Sequence, residues 1–232
     1  MTTDLAPPRR AIGLILPSSN RVVERVAHRM IAGRDDIDLC FARVPYAGHP
    51  ADGYDMSVFR AAARMLAEAR VEGICWNATR GALLGFDPDR RLCAELQDLT
   101  GVPVTTTALA TLDTLKRHGV TRIALLAQGD CAETDRIAAN FAREGIEVAV
   151  SHSLAIRENF DAARVPSDRL LLDLRQMDGS ADVQARLIWS TNIEGYSLST
   201  TAGSVALVFD SASIGMQTLF GILENKSIFI RS

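Results

Sequence analysis

Four short segments carry residues able to do chemistry. Pro17-Ser18-Ser19-Asn20 follows an apolar run and puts two hydroxyls and an amide where a helix should begin. Free N–H groups and the helix dipole converge at such a place, so it suits an anion such as a carboxylate; a plain Ser/Asn helix cap is the alternative. Cys75 ends a second apolar run and is followed by Asn77, Thr79 and Gly81. A thiol at a strand tip can meet backbone N–H groups that lower its pKa and open it to substrate. Ser190-Thr191-Asn192 forms a third polar tip, without a thiol, and Gly129-Asp130-Cys131 a fourth. Cys40 and Cys93 sit inside apolar patterns and read as small buried hydrophobes. Of the four cysteines, Cys75 is therefore the expected nucleophile, and Cys131 the second candidate for reaching a cleft. No C-x-x-C pair and no His at metal-ligand spacing occurs, so no metal site is expected.

The elements that position these tips read as alternating strands and helices, the pattern of a parallel sheet. Apolar runs at 11–16, 38–42, 73–76, 102–104, 122–127, 147–150, 186–189 and 204–209 predict strands. Helical periods predict helices after Asn20, over 56–69, from Asp87-Pro88 to Gly101, from Thr105-Thr106-Thr107 to His118, and over 134–143, 166–177 and 214–223. Ile228-Phe229-Ile230 predicts a last short strand. The plan repeats. Ile12-Gly13-Leu14-Ile15-Leu16 answers to Ile123-Ala124-Leu125-Leu126-Ala127, and Gly73-Ile74-Cys75-Trp76-Asn77 to Leu187-Ile188-Trp189-Ser190-Thr191-Asn192. Both offsets are about 110 residues, half the chain. The expected architecture is α/β: two pseudo-symmetric Rossmann-like lobes with parallel sheets and a cleft between them. The lobes should span 10–105 and 106–210, with a C-terminal helix over 211–225 packing on the first. Ligands of such sheets bind where the carboxyl ends of strands converge.

Bulk composition bounds the rest. The 232 residues are 47% apolar and 23% charged with a formal net charge of -3, ordinary for a globular protein. No basic cluster suggests nucleic acid, and no apolar run reaches the roughly 20 residues of a membrane helix. Residues 1–10 read as a disordered leader with no apolar signal core, and the scattered cysteines as reduced thiols of a cytoplasmic protein. His49, in Tyr46-Ala47-Gly48-His49-Pro50, lies in a loop placed to close over the cleft, and Arg80 could supply a cation to a dianion.

The stretch from Ile12 to Asn20 resembles the opening of maleate cis-trans isomerases, which belong with arylmalonate decarboxylase to the aspartate/glutamate racemase superfamily. Cys75 after its strand, Pro103-Val104-Thr105-Thr106-Thr107, Glu158-Asn159-Phe160 and Ser190-Thr191-Asn192 follow in the same order, from about Arg10 to Leu223 on a loose motif alignment. The resemblance implies an enzyme without a cofactor acting on a small carboxylate, and a homodimer or homotetramer. Asn20 and Asn159 would hold substrate carboxylates. Cys75 would be the first of the family's two cysteines, adding to the substrate double bond so that it can rotate. Ser18, Asn77, Gly129, Thr191 and Asn192 complete the expected substrate-binding set.

Two positions depart from the pattern. Ser190 stands where the second cysteine is expected, and Gly129 near where a carboxylate-binding tyrosine is expected, which predicts room for a larger acid than maleate. Racemisation needs a proton acceptor on each face of the carbon, and Ser190 is a weak one. The family's decarboxylases keep their thiol at the second tip, the reverse of a Cys75-only arrangement. The leading expectation is a cis-trans isomerase of a maleate-like dicarboxylate through a Cys75 adduct. A Cys75-dependent hydrolase, lyase or decarboxylase, and a ligand-binding protein without turnover, are the alternatives.

Overall fold

A computed structural model describes residues 6, 8–177, 182–200 and 207–230, with side chains to residue 224. Two four-stranded parallel sheets form the frame. The first is ordered β2-β1-β3-β4, from β1 (Arg10–Pro17), β2 (Ile37–Val44), β3 (Ile74–Trp76) and β4 (Val104–Thr106). The second, β6-β5-β7-β8, repeats that order with β5 (Arg122–Ala127), β6 (Glu147–Ser153), β7 (Ala185–Trp189) and β8 (Leu207–Asp210). The central strands β1, β3, β5 and β7 are buried on both faces, which is why they read as unbroken apolar runs.

Helices cover both sheets, and their ends follow elementary capping chemistry. α1 (Val23–Met30) starts where Asn20 Oδ1 accepts from the Val22 and Val23 N–H groups, both at 3.0 Å. α2 (Met56–Glu68) is capped by Asp55. The short α3 (Arg80–Leu84) follows the β3 tip, and α4 (Asp87–Thr100) opens with Pro88 and ends at left-handed Gly101. Thr106 Oγ1 caps α5 (Thr107–Arg117) by accepting from Leu109 N–H, and Asp130 caps α6 (Cys131–Arg143). α7 (Asn159–Ala162), α8 (Ser167–Gln176) and α9 (Tyr196–Ser199) follow.

The last helix, α10 (Ser211–Ile230), begins at the tip of β8. Its Ala212, Met216, Leu219 and Leu223 pack with Ile12, Leu14 and Leu16 of β1 and with Val23 and Val26 of α1. The C-terminal helix thus seals the first sheet. Residues 228–230, expected as a strand, are instead part of the last turn of α10. A three-residue apolar run has no periodicity of its own, and here it continues a helix already under way. Residues 204–206 of the expected strand at 204–209 lie outside the described residues, and β8 itself runs one residue further, to Asp210.

Candidate functional site

The strand tips of both sheets converge on a cavity of about 510 Å³, within the range of small-molecule sites. Two tryptophans form matching walls. Trp76 ends β3 and packs edge-on against Phe59, ring centroids 4.9 Å apart; Trp189 ends β7 and packs edge-on against Phe141 at 5.4 Å. Leu83, Ile137 and Ile156 add apolar surface, while Arg80, Arg157, His49, Asp130 and Glu133 supply the charged and titratable groups, with Tyr46 at the mouth.

Of the residues expected from sequence, Asn20, Gly129, Asn159, Ser190, Thr191 and Asn192 line this cavity. Cys75, Asn77 and Ser18 do not. Side chains alternate along a strand, so Cys75 and Asn77 share one face of the β3 tip and Trp76 and Ala78 the other. The cleft receives Trp76 and Ala78. Cys75 is fully buried among Ile12, Leu14, Ala212 and Met216, beneath α10. The approach is close: a Cβ placed on Gly215 would lie 2.5 Å from Cys75 Sγ. Burial pushes the thiol pKa well up, with a smaller rise from Cys93 and only partial relief from a Thr107 hydrogen bond. The expectation of a low-pKa thiol open to substrate at position 75 is corrected accordingly. Asn77 lies beside it, its amide nitrogen donating to Ala212 C=O at 3.4 Å. Ser18 is a loop fastener whose Oγ accepts from Tyr46 N–H at 3.1 Å. Cys131 is exposed, and none of the four cysteines is in the cavity wall.

The asparagines stitch the two lobes together. Asn20 Nδ2 donates to Thr191 O at 3.1 Å and to Thr191 Oγ1 at 3.2 Å. Asn192 Oδ1 accepts from Arg21 N–H at 2.9 Å, and its Nδ2 donates to Asn159 O at 2.6 Å. Asn159 Nδ2 donates across to Ser19 Oγ at 2.8 Å. With Asn20 Oδ1 capping α1, both ends of that amide are engaged, so in this structure it holds the lobes in place of a substrate. Ser190 is similarly committed: its hydroxyl donates to Gln128 Oε1 at 2.5 Å and accepts from Asn192 N–H at 3.0 Å. A side-chain amide cannot take the proton of that hydroxyl, so nothing here activates Ser190 as a nucleophile.

Uncommitted groups lie on residues given little weight by sequence. The Asp55 N–H donates to His49 Nδ1 at 3.3 Å, which leaves the proton of the neutral ring on Nε2. Burial, and next the Arg80 charge, hold this imidazole below its ordinary pKa. Arg80 Nη2 donates to Pro50 O at 2.8 Å, while Arg80 Nε and Trp189 Nε1 are buried donors without a partner among the described residues. His49 adds to its Asp55 bond only a contact with the Pro45 backbone that is short of a well-formed hydrogen bond. Unmet donors of this kind cost about 1–3 kcal/mol each until something accepts from them. A buried carboxyl supports the Arg80 turn. Asp89 accepts from Tyr54 Oη at 2.5 Å and lies where any side chain on Gly81 would go. Burial raises Asp89 to about 6, against the opposing effects of Thr106, Tyr54 and Arg80.

Glu133 is the residue sequence reasoning missed altogether. It lies one helical turn beyond Gly129, and its carboxylate occupies the space a side chain at 129 would fill. The room expected above Gly129 is taken by that carboxylate. The spacing was the available signal, since the third residue of a new helix, four places after Gly129, turns back over the tip that precedes it.

Among the described residues no group of His, Cys, Asp or Glu is arranged to hold a metal, and no helix is long and apolar enough to cross a membrane. No curated protein matches the chain. Solved structures do. A double mutant of arylmalonate decarboxylase in a liganded form is 23% identical with a TM-score of 0.72, covering 92% of each chain. The maleate cis-trans isomerase of Nocardia farcinica, a cysteine-to-serine mutant with a covalently bound succinylcysteine intermediate, is 18% identical with a TM-score of 0.79, covering 94% of each. The maleate isomerase Iso of Pseudomonas putida S16 is 19% identical with a TM-score of 0.79, again covering 94% of each. These similarities establish a shared fold. The family profile described as arylmalonate decarboxylase matches residues 12–203. With that span and this fold, the chain belongs to the arylmalonate decarboxylase family of enzymes, in the aspartate/glutamate racemase superfamily.

Proposed function

We propose that this chain is an enzyme acting on a small carboxylate held in the cleft between its two sheets, by isomerisation or decarboxylation at the carbon next to that carboxylate. The observation that carries the reading is the cavity at the strand tips, lined by Arg80, His49 and the two tryptophans but by no thiol. In decarboxylation the electron pair of the breaking C–C bond is delocalised onto the oxygens of the retained carboxylate as CO2 leaves, and a solvent proton then takes its place. In isomerisation the same delocalisation follows addition of a water-derived hydroxide to the alkene, which leaves again after rotation. Donors fixed beforehand around those oxygens lower the barrier without reorganising. Arg80 and His49 Nε2–H are suited to that task, and the tryptophan walls to an apolar substituent on the same carbon. The volume of about 510 Å³ supports an acid larger than maleate.

The sealed position of Cys75 supports a route without a sulfur adduct. Maleate isomerisation through Cys75 would require the sulfur to leave its packed layer beneath α10. A second reading, ligand binding without turnover, is favoured by the committed Ser190 hydroxyl and by the engaged amides of Asn20, Asn159 and Asn192. A cytoplasmic location and a homodimeric or homotetrameric assembly accompany the proposal.

The test is a panel of maleate, its half-amide, and alkyl- and aryl-substituted malonates, followed by proton NMR in D2O with and without protein. Decarboxylation leaves a product carrying a solvent deuteron at the reacting carbon, and isomerisation a changed alkene. Binding with no product supports the second reading, and no interaction with any acid of the panel rules out both.

A further inference from the structure

The charges of the cleft balance, and that balance bears on which acid it takes. The wall carries two cations, Arg80 and Arg157, and two carboxylates, Asp130 and Glu133; His49 is held toward its neutral form by burial and by Arg80. A site for a dianion gains from a surplus of positive charge, and this one has none. Both carboxylates sit at the solvent-exposed start of α6. Asp130 is turned to capping α6, its Oδ1 accepting from Glu133 N–H at 2.9 Å. The Glu133 carboxylate lies over the bare backbone of Gly129 and has no hydrogen-bond or ion-pair partner among the described residues. Arg157 is exposed on the same side, following Ile156, whose N–H donates to Gln128 O at 2.8 Å, yet it forms no ion pair with Glu133. An acceptor-only group thus lines the same cavity as Arg80 and His49.

We propose that the cleft selects a monocarboxylate bearing a nitrogen N–H donor, an amide or an ammonium group, and discriminates against dicarboxylates. The substrate carboxylate sits with Arg80 and His49, and its N–H group donates to Glu133. The inference rests on the small-carboxylate reading above and narrows it to the isomerisation branch, since decarboxylation with a retained carboxylate requires a dicarboxylate. A second carboxylate placed at Glu133 meets a like charge, whereas a carboxamide of nearly the same shape meets an acceptor. Gly129 is the specificity partner, because a side chain there evicts the Glu133 carboxylate.

The experiment compares binding of maleate and of its half-amide, maleamate, by calorimetry at pH 7, for the wild type, Glu133→Gln and Gly129→Ala. The wild type is expected to bind the half-amide about tenfold more tightly than maleate, the scale of one like-charge contact near a protein surface. Glu133→Gln should shrink that preference to about threefold or less, chiefly by strengthening maleate. Gly129→Ala, which displaces the carboxylate without removing it, should move the ratio the same way. Equal wild-type affinity for the two ligands, or a ratio unchanged in both variants, overturns the selectivity while leaving the small-carboxylate reading intact. Failure of the wild type to bind either ligand also overturns the selectivity, whereas the small-carboxylate reading falls only if the substituted malonates fail to bind as well.

Discussion

Asp210 sits at the tip of β8, fully buried, where the chain turns into α10. Neither of its carboxylate oxygens has a well-formed partner among the described residues. Burial raises its pKa from 3.8 to about 7; the nearby Ala212 and Gly195 N–H groups and Ser213 offset only part of that, and Glu194 adds to the rise. A shift of this size corresponds to about 4 kcal/mol between the protonated and ionised folded states. The sign follows from linkage. Between pH 4 and 7 the folded chain holds a proton that the unfolded chain has released, so stability is greatest below the unfolded value and falls as pH rises through the folded one. Urea unfolding of the wild type and Asp210→Asn, at half-unit steps from pH 4 to pH 8, isolates this group. The wild type should lose up to about 4 kcal/mol more than the variant across that window, and the two curves should run parallel above it. Asp89, raised to about 6 and also buried, adds a decline of the same sign to both proteins and cancels in the difference. Parallel curves throughout would refute the claim that Asp210 is a buried, poorly solvated carboxyl.

Two further outcomes test the scaffold. Gly81→Ala drives a Cβ into the buried Asp89 carboxyl, and should cost about 2 kcal/mol, read as a Tm fall of roughly 6 °C. Asn20→Ala removes the α1 cap and both donors to Thr191; a loss of about 2–4 kcal/mol in urea unfolding is expected, with faster amide exchange at both strand tips.

Much of this architecture was legible in residues alone. Central parallel strands are buried on both faces, so β1, β5 and β7 announce themselves as apolar runs, and their recurrence exposed the two-fold plan. Polar residues directly after those runs had to lie at the tips, which placed Asn20, Gly129 and Ser190-Thr191-Asn192 at one cleft. The same double burial hid the direction of side chains. With no polar face on Ile74-Cys75-Trp76, alternation leaves no trace in the residue types, and the thiol could not be told from the tryptophan as the cleft-facing group. His49, Arg80 and Glu133 belong to loops and helix starts, whose approach to the site depends on where the chain is turned, by Pro50, Gly81 and Gly129, and on no periodicity. Hydrogen bonding across the lobes was equally out of reach, because Asn20 and Thr191 are 171 positions apart.

In the proposed chemistry the cleft works without the Cys75 sulfur. Intact-protein and peptide mass spectrometry, after quenching the wild type and Cys75→Ala in the presence of the acid panel, addresses it directly. The expected result is no substrate-derived mass on Cys75 and, for any acid that is turned over, a rate in Cys75→Ala within a few-fold of wild type, with a core-packing cost of about 1–2 kcal/mol. A substrate mass localised to Cys75, together with loss of turnover in Cys75→Ala, would contradict it.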